Sequence, residues 1–264
     1  MKVKRATIHS YWLMFIATVI TVGIVTSSQL ITDRIGLLLD RQASELLAAD
    51  MVIVSSNEFA GDYREQARKQ GLQISQSVSL RTAIFIDDNP QLVELKAVDE
   101  SYPLRGKLER AAEITGERTV TTEIPSRGEV WVDTKLTQLV GTKLSLGEQS
   151  LEARWLLTYE PDRGGAIFNL APRVLMNIAD LSDTGLVVPG SRVRYRMMFA
   201  GAQADLNRFK SWLGANLKAG EQIQDLENAR PEMRQALERT RKLFALTIVL
   251  TLFIATVSNT HLRA

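Results

Sequence analysis

The chain contains no cysteine and only two histidines among 264 residues. Without a thiol, a disulfide framework, a thiolate zinc site and a cysteine nucleophile are all excluded. His9 and His261 stand near opposite ends of the chain, beside apolar runs, so the residues between them have no histidine for metal binding or proton transfer. No GxSxG elbow, HExxH pair or GxxxxGK(S/T) phosphate loop occurs. Nothing marks a catalytic residue, a cofactor site or a metal centre. A formal charge of +2 is too small an excess to point to nucleic acid. Proline is also scarce: the first is Pro90, so none interrupts a helix in the first third of the chain.

What is present is a pair of uncharged apolar stretches enclosing a polar middle. The first runs from Tyr11 to Ile31, behind Lys2, Lys4 and Arg5, with no further charged residue until Asp33. Positive flanks stay cytoplasmic, so residues 1–10 are expected inside the cell and 11–31 across the membrane, with Tyr11 and Trp12 as an interfacial anchor. A cleaved signal peptide, cut near Val25-Thr26-Ser27, is the rival reading. Its apolar core is long for a signal, and the helical pattern continues past the cut. The second stretch, Leu243 to about Ser258, is strongly apolar over only about 15 of the roughly 20 residues a span needs. Arg234, Arg239, Arg241 and Lys242 precede it and would favour the cytoplasm, but two spans in alternation put that flank outside. The expected location is a bacterial cytoplasmic (inner) membrane, with residues 32–242 periplasmic. A domain outside the cytoplasm without disulfides fits that compartment.

Past the first span, Ile31, Ile35, Leu38, Leu39, Gln42 and Leu46 recur at helical steps, and Met233, Leu237 and Phe244 do so after Pro231. A continuous helix from Tyr11 to Ala48 would be about 57 Å long at 1.5 Å per residue. Two stalk helices carrying a domain follow from that. Between them the pattern is mixed. Strands are expected at Met51–Ser55, Gly128–Asp133, Arg192–Phe199 and Glu221–Leu226, with hairpins at Val78–Ile86/Leu92–Val98 and Lys143–Leu146/Leu151–Thr158. Helices are expected at Phe59–Gln70, Thr134–Val140, Leu175–Leu181 and Asp205–Leu217, and Tyr102–Arg127 reads as irregular.

Three polar features are candidates for function. Asp87-Asp88-Asn89 suits a hairpin turn better than a calcium loop, because the acidic spacing of such a loop is missing. The loop Pro161-Asp162-Arg163-Gly164-Gly165 reads equally as a binding loop and as a connector. Arg192, Arg194 and Arg196 alternate along one strand face, either to contact lipid headgroups or an acidic partner, or simply to be solvated.

Three segments carry a resemblance. They are Asp40-Arg41-Gln42-Ala43-Ser44-Glu45-Leu46-Leu47-Ala48-Ala49-Asp50, Gly128-Glu129-Val130-Trp131-Val132-Asp133, and the run from Glu160-Pro161-Asp162-Arg163-Gly164-Gly165 through Leu170-Ala171-Pro172-Arg173-Val174-Leu175-Met176-Asn177 to Pro189-Gly190-Ser191-Arg192-Val193-Arg194-Tyr195-Arg196. The chain resembles, from about Ile31 to Phe253, the N-terminal portion of the FtsX-like (MacB-type) ABC transporter permeases, in the lysophospholipase-linked, YbbP-type branch. The resemblance implies an α+β fold: two transmembrane helices extended as a stalk, carrying a split porter-like periplasmic domain with an inserted β-rich subdomain. On that reading the porter-like halves are 49–101 and 191–230, the insertion is 102–190, the stalk helices are 32–48 and 231–242, the spans are 11–31 and 243–258, and 259–264 is a tail. It also implies a separate cytoplasmic ATPase subunit, a periplasmic lipase-like partner, and lipid-like or hydrophobic substrates moved by stalk-mediated mechanical transmission.

Members of this branch are far longer, and the last residues, Val257 to Ala264, depart from the family's apolar continuation. A fragment or truncated gene product is therefore expected, one that by itself neither hydrolyses ATP nor moves substrate. A two-span extracytoplasmic ligand sensor and an outer-face scaffold are the alternatives. A sensor would need an output module inside the cell.

Overall fold

The computed structural model describes residues 44–59, 61–86, 89–163 and 171–225, together with isolated helical positions at Trp12, Val19, Gly23, Thr26, Ser27, Leu30, Arg34, Arg239, Lys242, Leu243 and Leu246. It divides into two units, Met1–Arg41 with Glu227–Ala264, and Gln42–Leu226. In the first unit Trp12, Val19, Leu30, Leu243 and Leu246 are helical and exposed. Most of the two expected spans and of both stalk helices lies outside the described residues. Among the described residues, no helix is long and apolar enough to cross a membrane.

The second unit begins with a helical turn at 44–47 and continues into a mixed sheet. Its first part is made from two interlocked β-α-β units. β1 (Met51–Ser55) leads through α1 (Tyr63–Lys69) to β2 (Gln73–Ile86), which turns back into β3 (Asn89–Val98). Much later in the chain, β10 (Arg194–Ala200) leads through α2 (Gln203–Asn216) to β11 (Gln222–Asp225). β10 inserts antiparallel between β1 and β2, and β1 lies antiparallel between β10 and β11. Neither unit has its own strands adjacent, so each completes the other. Both helices are amphipathic and cover one sheet face, where Tyr63, Ala67, Leu206, Phe209 and Leu213 pack on Met51, Ile53, Met197 and Phe199.

Between β3 and β10 the chain adds β4 (Leu108–Ala111), β5 (Thr119–Thr121), β6 (Glu129–Asp133), β7 (Lys143–Leu146), β8 (Gln149–Tyr159) and β9 (Arg173–Asn177). The hydrogen-bonded order is β11-β1-β10-β2-β3-β9-β6-β8-β4-β5, with β7 on β8. β9 is the joint: it is parallel to β3 and antiparallel to β6. Val78, Leu80, Leu95 and Ala97 share a core with Val130, Val132, Leu156 and Met176, so apolar packing as well as the ladder runs across that joint.

Two expectations need correcting. Leu175–Leu181 is not a helix: Arg173–Asn177 is strand β9, followed by 3-10 turns at Ile178–Asp180 and Ser182–Thr184. Val174, Leu175 and Met176 are all fully buried, and an apolar run with both faces covered has no period that separates strand from helix. Tyr102–Arg127 is not wholly irregular, because β4 and β5 pair within it. Thr134–Leu139 is a 3-10 helix, capped by the Asp133 carboxylate accepting from the Lys135 amide at 2.9 Å.

One close approach is testable. Gly147, at φ +59°, turns β7 into β8 so tightly that an added Cβ would stand 2.0 Å from the Thr184 carbonyl oxygen. That oxygen already accepts from the Glu148 amide at 2.9 Å. Gly147→Ala therefore combines left-handed strain with a backbone collision, and we expect a loss of about 1–3 kcal/mol. Gly190→Ala, also at positive φ but facing open space, carries the strain alone. Urea midpoints should fall clearly further for the first than for the second; equal shifts would refute the contact.

Candidate functional site

The sheet face turned away from α1 and α2 carries charge at its middle. In register, Arg194 stands opposite Ser79, Ser79 opposite Lys96, and Glu94 opposite Arg173. Side chains of registered partners share a face, so β10, β2, β3 and β9 contribute to one surface. The 3-10 turn Pro161–Arg163, directly after β8, supplies Asp162 to it.

Lys96 is the centre, at 1 % exposure. Its Nζ donates to Tyr102 Oη at 2.8 Å, to Glu160 Oε1 at 2.7 Å and to both Asp162 oxygens at 2.7 Å. Tyr102 Oη donates to Asp162 Oδ1 at 2.7 Å and lies 3.1 Å from Glu160 Oε1. Arg196 Nη1 closes on Asp162 Oδ2, while its Nη2 donates to the Leu47 carbonyl at 3.4 Å. Arg173 Nε stands 3.0 Å from Glu160 Oε2, an ion pair without hydrogen-bond alignment, and its Nη1 lies 3.3 Å from Glu94. Next to this group, Arg163 pairs with Asp133, which also accepts from the Arg173 amide. Within the central group Lys96, Arg173 and Arg196 face Glu94, Glu160 and Asp162, so charge is matched.

The protonation states follow from these contacts. Burial pushes the Asp162 carboxyl up, but the charges of Lys96 and Arg196 and the bonds from Lys96 and Tyr102 outweigh it and hold the group far below the usual carboxylate range. Burial, with the negative charges of Asp162 and Glu160, drives Tyr102 well above its ordinary value, so it stays a donor. Burial also works against Asp133, but the Lys135 amide and Arg163 prevail and its carboxyl is lowered.

Beside this matched cluster opens a cleft of about 790 Å³, with Lys96, Asp162, Arg173 and Arg196 on its wall and Arg81, Arg192 and Arg194 added around it. The expected strand face is thus divided. Arg196 is anchored to Asp162 and Leu47, whereas Arg192 and Arg194 are exposed and have no ion-pair partner among the described residues. Of the candidate loop, Pro161 is buried, the Asp162 side chain is 2 % exposed, and Arg163 is bound to Asp133. Gly164 and Gly165 lie outside the described residues, as do Asp87 and Asp88. The Asp162–Arg196 pair brings the candidate loop and the candidate strand together.

Sequence reasoning missed Lys96, Tyr102 and Arg81. Lys96 alternates with apolar neighbours just as a solvated lysine would, so its strand held no signal of burial. Glu160 and Arg173 stood inside the segment that carried the family resemblance. No cluster of three or more metal-type ligands occurs among the described residues.

Comparison with known proteins adds a relative and a set of folds. The chain is 32 % identical over 250 residues to an uncharacterised ABC transporter permease, YbbP, of Escherichia coli K12, a match that takes in 93 % of this chain. It spans 30 % of that relative's length. That likeness to an ABC transporter permease agrees with the resemblance to the FtsX-like, MacB-type permeases that the segments around Asp40, Gly128 and Glu160 carried. No family model matches the chain. Among solved structures, the periplasmic region of MacB from Actinobacillus actinomycetemcomitans aligns at 10 % identity and a TM-score of 0.42, over 73 % of this chain and 95 % of that one. The extracellular domain of the transporter YknZ from Gram-positive bacteria aligns at the same identity and score, over 67 % of this chain and all of that domain (100 %). At that score the fold description rests on the strand order of this chain itself.

Proposed function

We propose that this chain is part of the membrane permease of an ABC transporter acting on lipid-like or hydrophobic substrates. Residues 32–242 lie on the outer face of a bacterial inner membrane, and a separate cytoplasmic ATPase drives the stalks. The observation that carries the reading is the 32 % identity along almost the whole chain. Two others support it. Trp12, Val19, Leu30, Leu243 and Leu246 are large apolar residues exposed on helix, as lipid-facing positions are. The chain also has no phosphate loop of its own, so nucleotide hydrolysis falls to another subunit. A lipase-like periplasmic partner belongs to the same proposal.

The test is substitution into the E. coli relative. The matched segment is replaced by this chain, and the chimera is made together with the ATPase that works with that permease. We expect ATPase stimulation by the chimera well above that of a version lacking the segment; a chimera no better than the deletion would sink the reading. Phosphatase fused after Glu100 or Ala200 should be active, and a cytoplasmic fluorophore there dark.

A further inference from the structure

We propose that the cleft beside the Lys96 cluster is a binding site for a phosphate-bearing anion, held by Arg81, Arg192 and Arg194. The inference goes beyond the transport reading and does not depend on it.

Charge comes first. The buried part of the cleft wall is neutral, because Lys96, Arg173 and Arg196 are each matched by Glu94, Glu160 or Asp162. The three remaining lining cations, Arg81, Arg192 and Arg194, have no ion-pair partner among the described residues. They leave the cleft with three uncompensated positive charges. A concave, partly enclosed wall focuses such a field far better than a flat surface does.

Placement comes second. Arg194 stands opposite Ser79 in the antiparallel β10–β2 pair; Arg192, just before β10, and Arg81, two residues beyond Ser79 on β2, line the same cleft. Like charges gathered at one place repel one another. A gathering of like charge that works against local stability, around an open cleft, is the kind of conflict that marks a functional site.

Ligand chemistry comes third. Guanidinium forks match phosphate oxygens in pairs, and a carboxylate can occupy only one such fork fully. Three forks call for an anion with three or more acceptor oxygens and more than one negative charge. Ser79 and Thr82 also line the cleft, and their hydroxyls have no hydrogen-bond partner among the described residues. A volume of about 790 Å³ lies within the range of small-molecule sites, leaving room for an organic group on the phosphate. Free phosphate, a soluble phosphate monoester and a lipid phosphate headgroup share this chemistry.

The experiment uses the full chain in a neutral detergent at constant, near-physiological ionic strength. Inorganic phosphate, glycerol 3-phosphate and a single-chain lysophosphatidic acid are titrated separately by calorimetry. Saturable binding of at least one is expected. The triple variant Arg81→Gln, Arg192→Gln, Arg194→Gln should bind at least about tenfold more weakly with an unchanged melting temperature, since all three side chains are exposed. A control that changes the exposed Arg68, Arg154 and Arg208 to glutamine should bind like the parent. Binding confined to the acylated ligand assigns the site to a lipid headgroup; similar binding of all three assigns it to the phosphate itself. No saturable binding by any of them, or equal binding by the triple variant, overturns the proposal. If the triple variant melts early, single Arg194→Gln and Arg192→Gln variants give the same reading through their affinities.

Discussion

Lys96→Met is expected to lower the stability of the Gln42–Leu226 unit by about 3–5 kcal/mol, the usual cost of leaving a buried charge without its partner. Methionine keeps most of the volume, so packing loss is small. What remains is three carboxylates, Glu94, Glu160 and Asp162, facing only Arg173 and Arg196, so one negative charge is left over, and Tyr102 Oη cannot replace a cation. Against a total stability of roughly 5–15 kcal/mol, such a loss takes the unit close to unfolding. Urea unfolding followed by tryptophan fluorescence measures it. Adding Glu160→Gln to Lys96→Met should recover part of the loss by removing the excess negative charge. The exposed pair of Arg208 with Asp205 sets the contrast, since Arg208→Met should change stability by less than about 1 kcal/mol. A Lys96→Met loss as small as that would mean the cluster contributes nothing.

Acid should act on the same cluster in a defined window. The Asp162 carboxyl is lowered in the folded chain, so the native state holds fewer protons there than the unfolded chain once the pH drops below the ordinary value near 3.9. Its contribution is therefore fully present above that value and is lost progressively as the pH falls toward the lower folded value. Below about pH 4 this residue alone gives stability a slope approaching about 1.4 kcal/mol per pH unit. Asp133, also lowered, steepens the same limb. Asp99 acts in the opposite sense: burial raises its carboxyl against the bonds from Ser75 and Gln76, so it favours folding more as the pH falls through its own window. The carboxyl carbon of Asp162, followed by NMR, should stay at its ionised position down to about pH 3, below the ordinary carboxylate range. Titration near pH 4 would contradict the ion-pair geometry.

The elements that could be read from the sequence are those whose two faces differ. The β2–β3 hairpin, β7 with β8, and α2 each alternate or repeat in a way that matches one covered face and one open face. β1, covered on both faces, is the exception and was legible as a short apolar run ended by Ser55, Ser56 and Asn57. β9 failed because Val174, Leu175 and Met176 are buried on both sides. The short pair β4 and β5 failed because three or four residues carry too little pattern to stand out from a charged stretch. The site was half legible for a related reason. Glycine-flanked charge at Asp162 and alternating arginines at Arg192, Arg194 and Arg196 are visible along the chain. That Lys96 would be buried and Arg196 half-buried is not, because their partners lie 66 and 34 positions away at Asp162. Burial of a charge is decided by what folds over it.

The interlocking of β1 has a mechanical side. β1 pairs with β10 over five positions, Met51 to Ser55, and with β11 over four, Met51 to Val54. In antiparallel ladders the hydrogen bonds lie across the strand, so a pull along its axis loads them all at once in shear instead of unzipping them one by one. The helical turn at 44–47 leads into this strand through a turn at 48–50, and Arg196 ties the Leu47 carbonyl to the charge cluster. Tension arriving at residue 44 thus meets a clamp. On the proposed transport reading, the sheet would resist as a block and pass the pull on as movement of the whole unit.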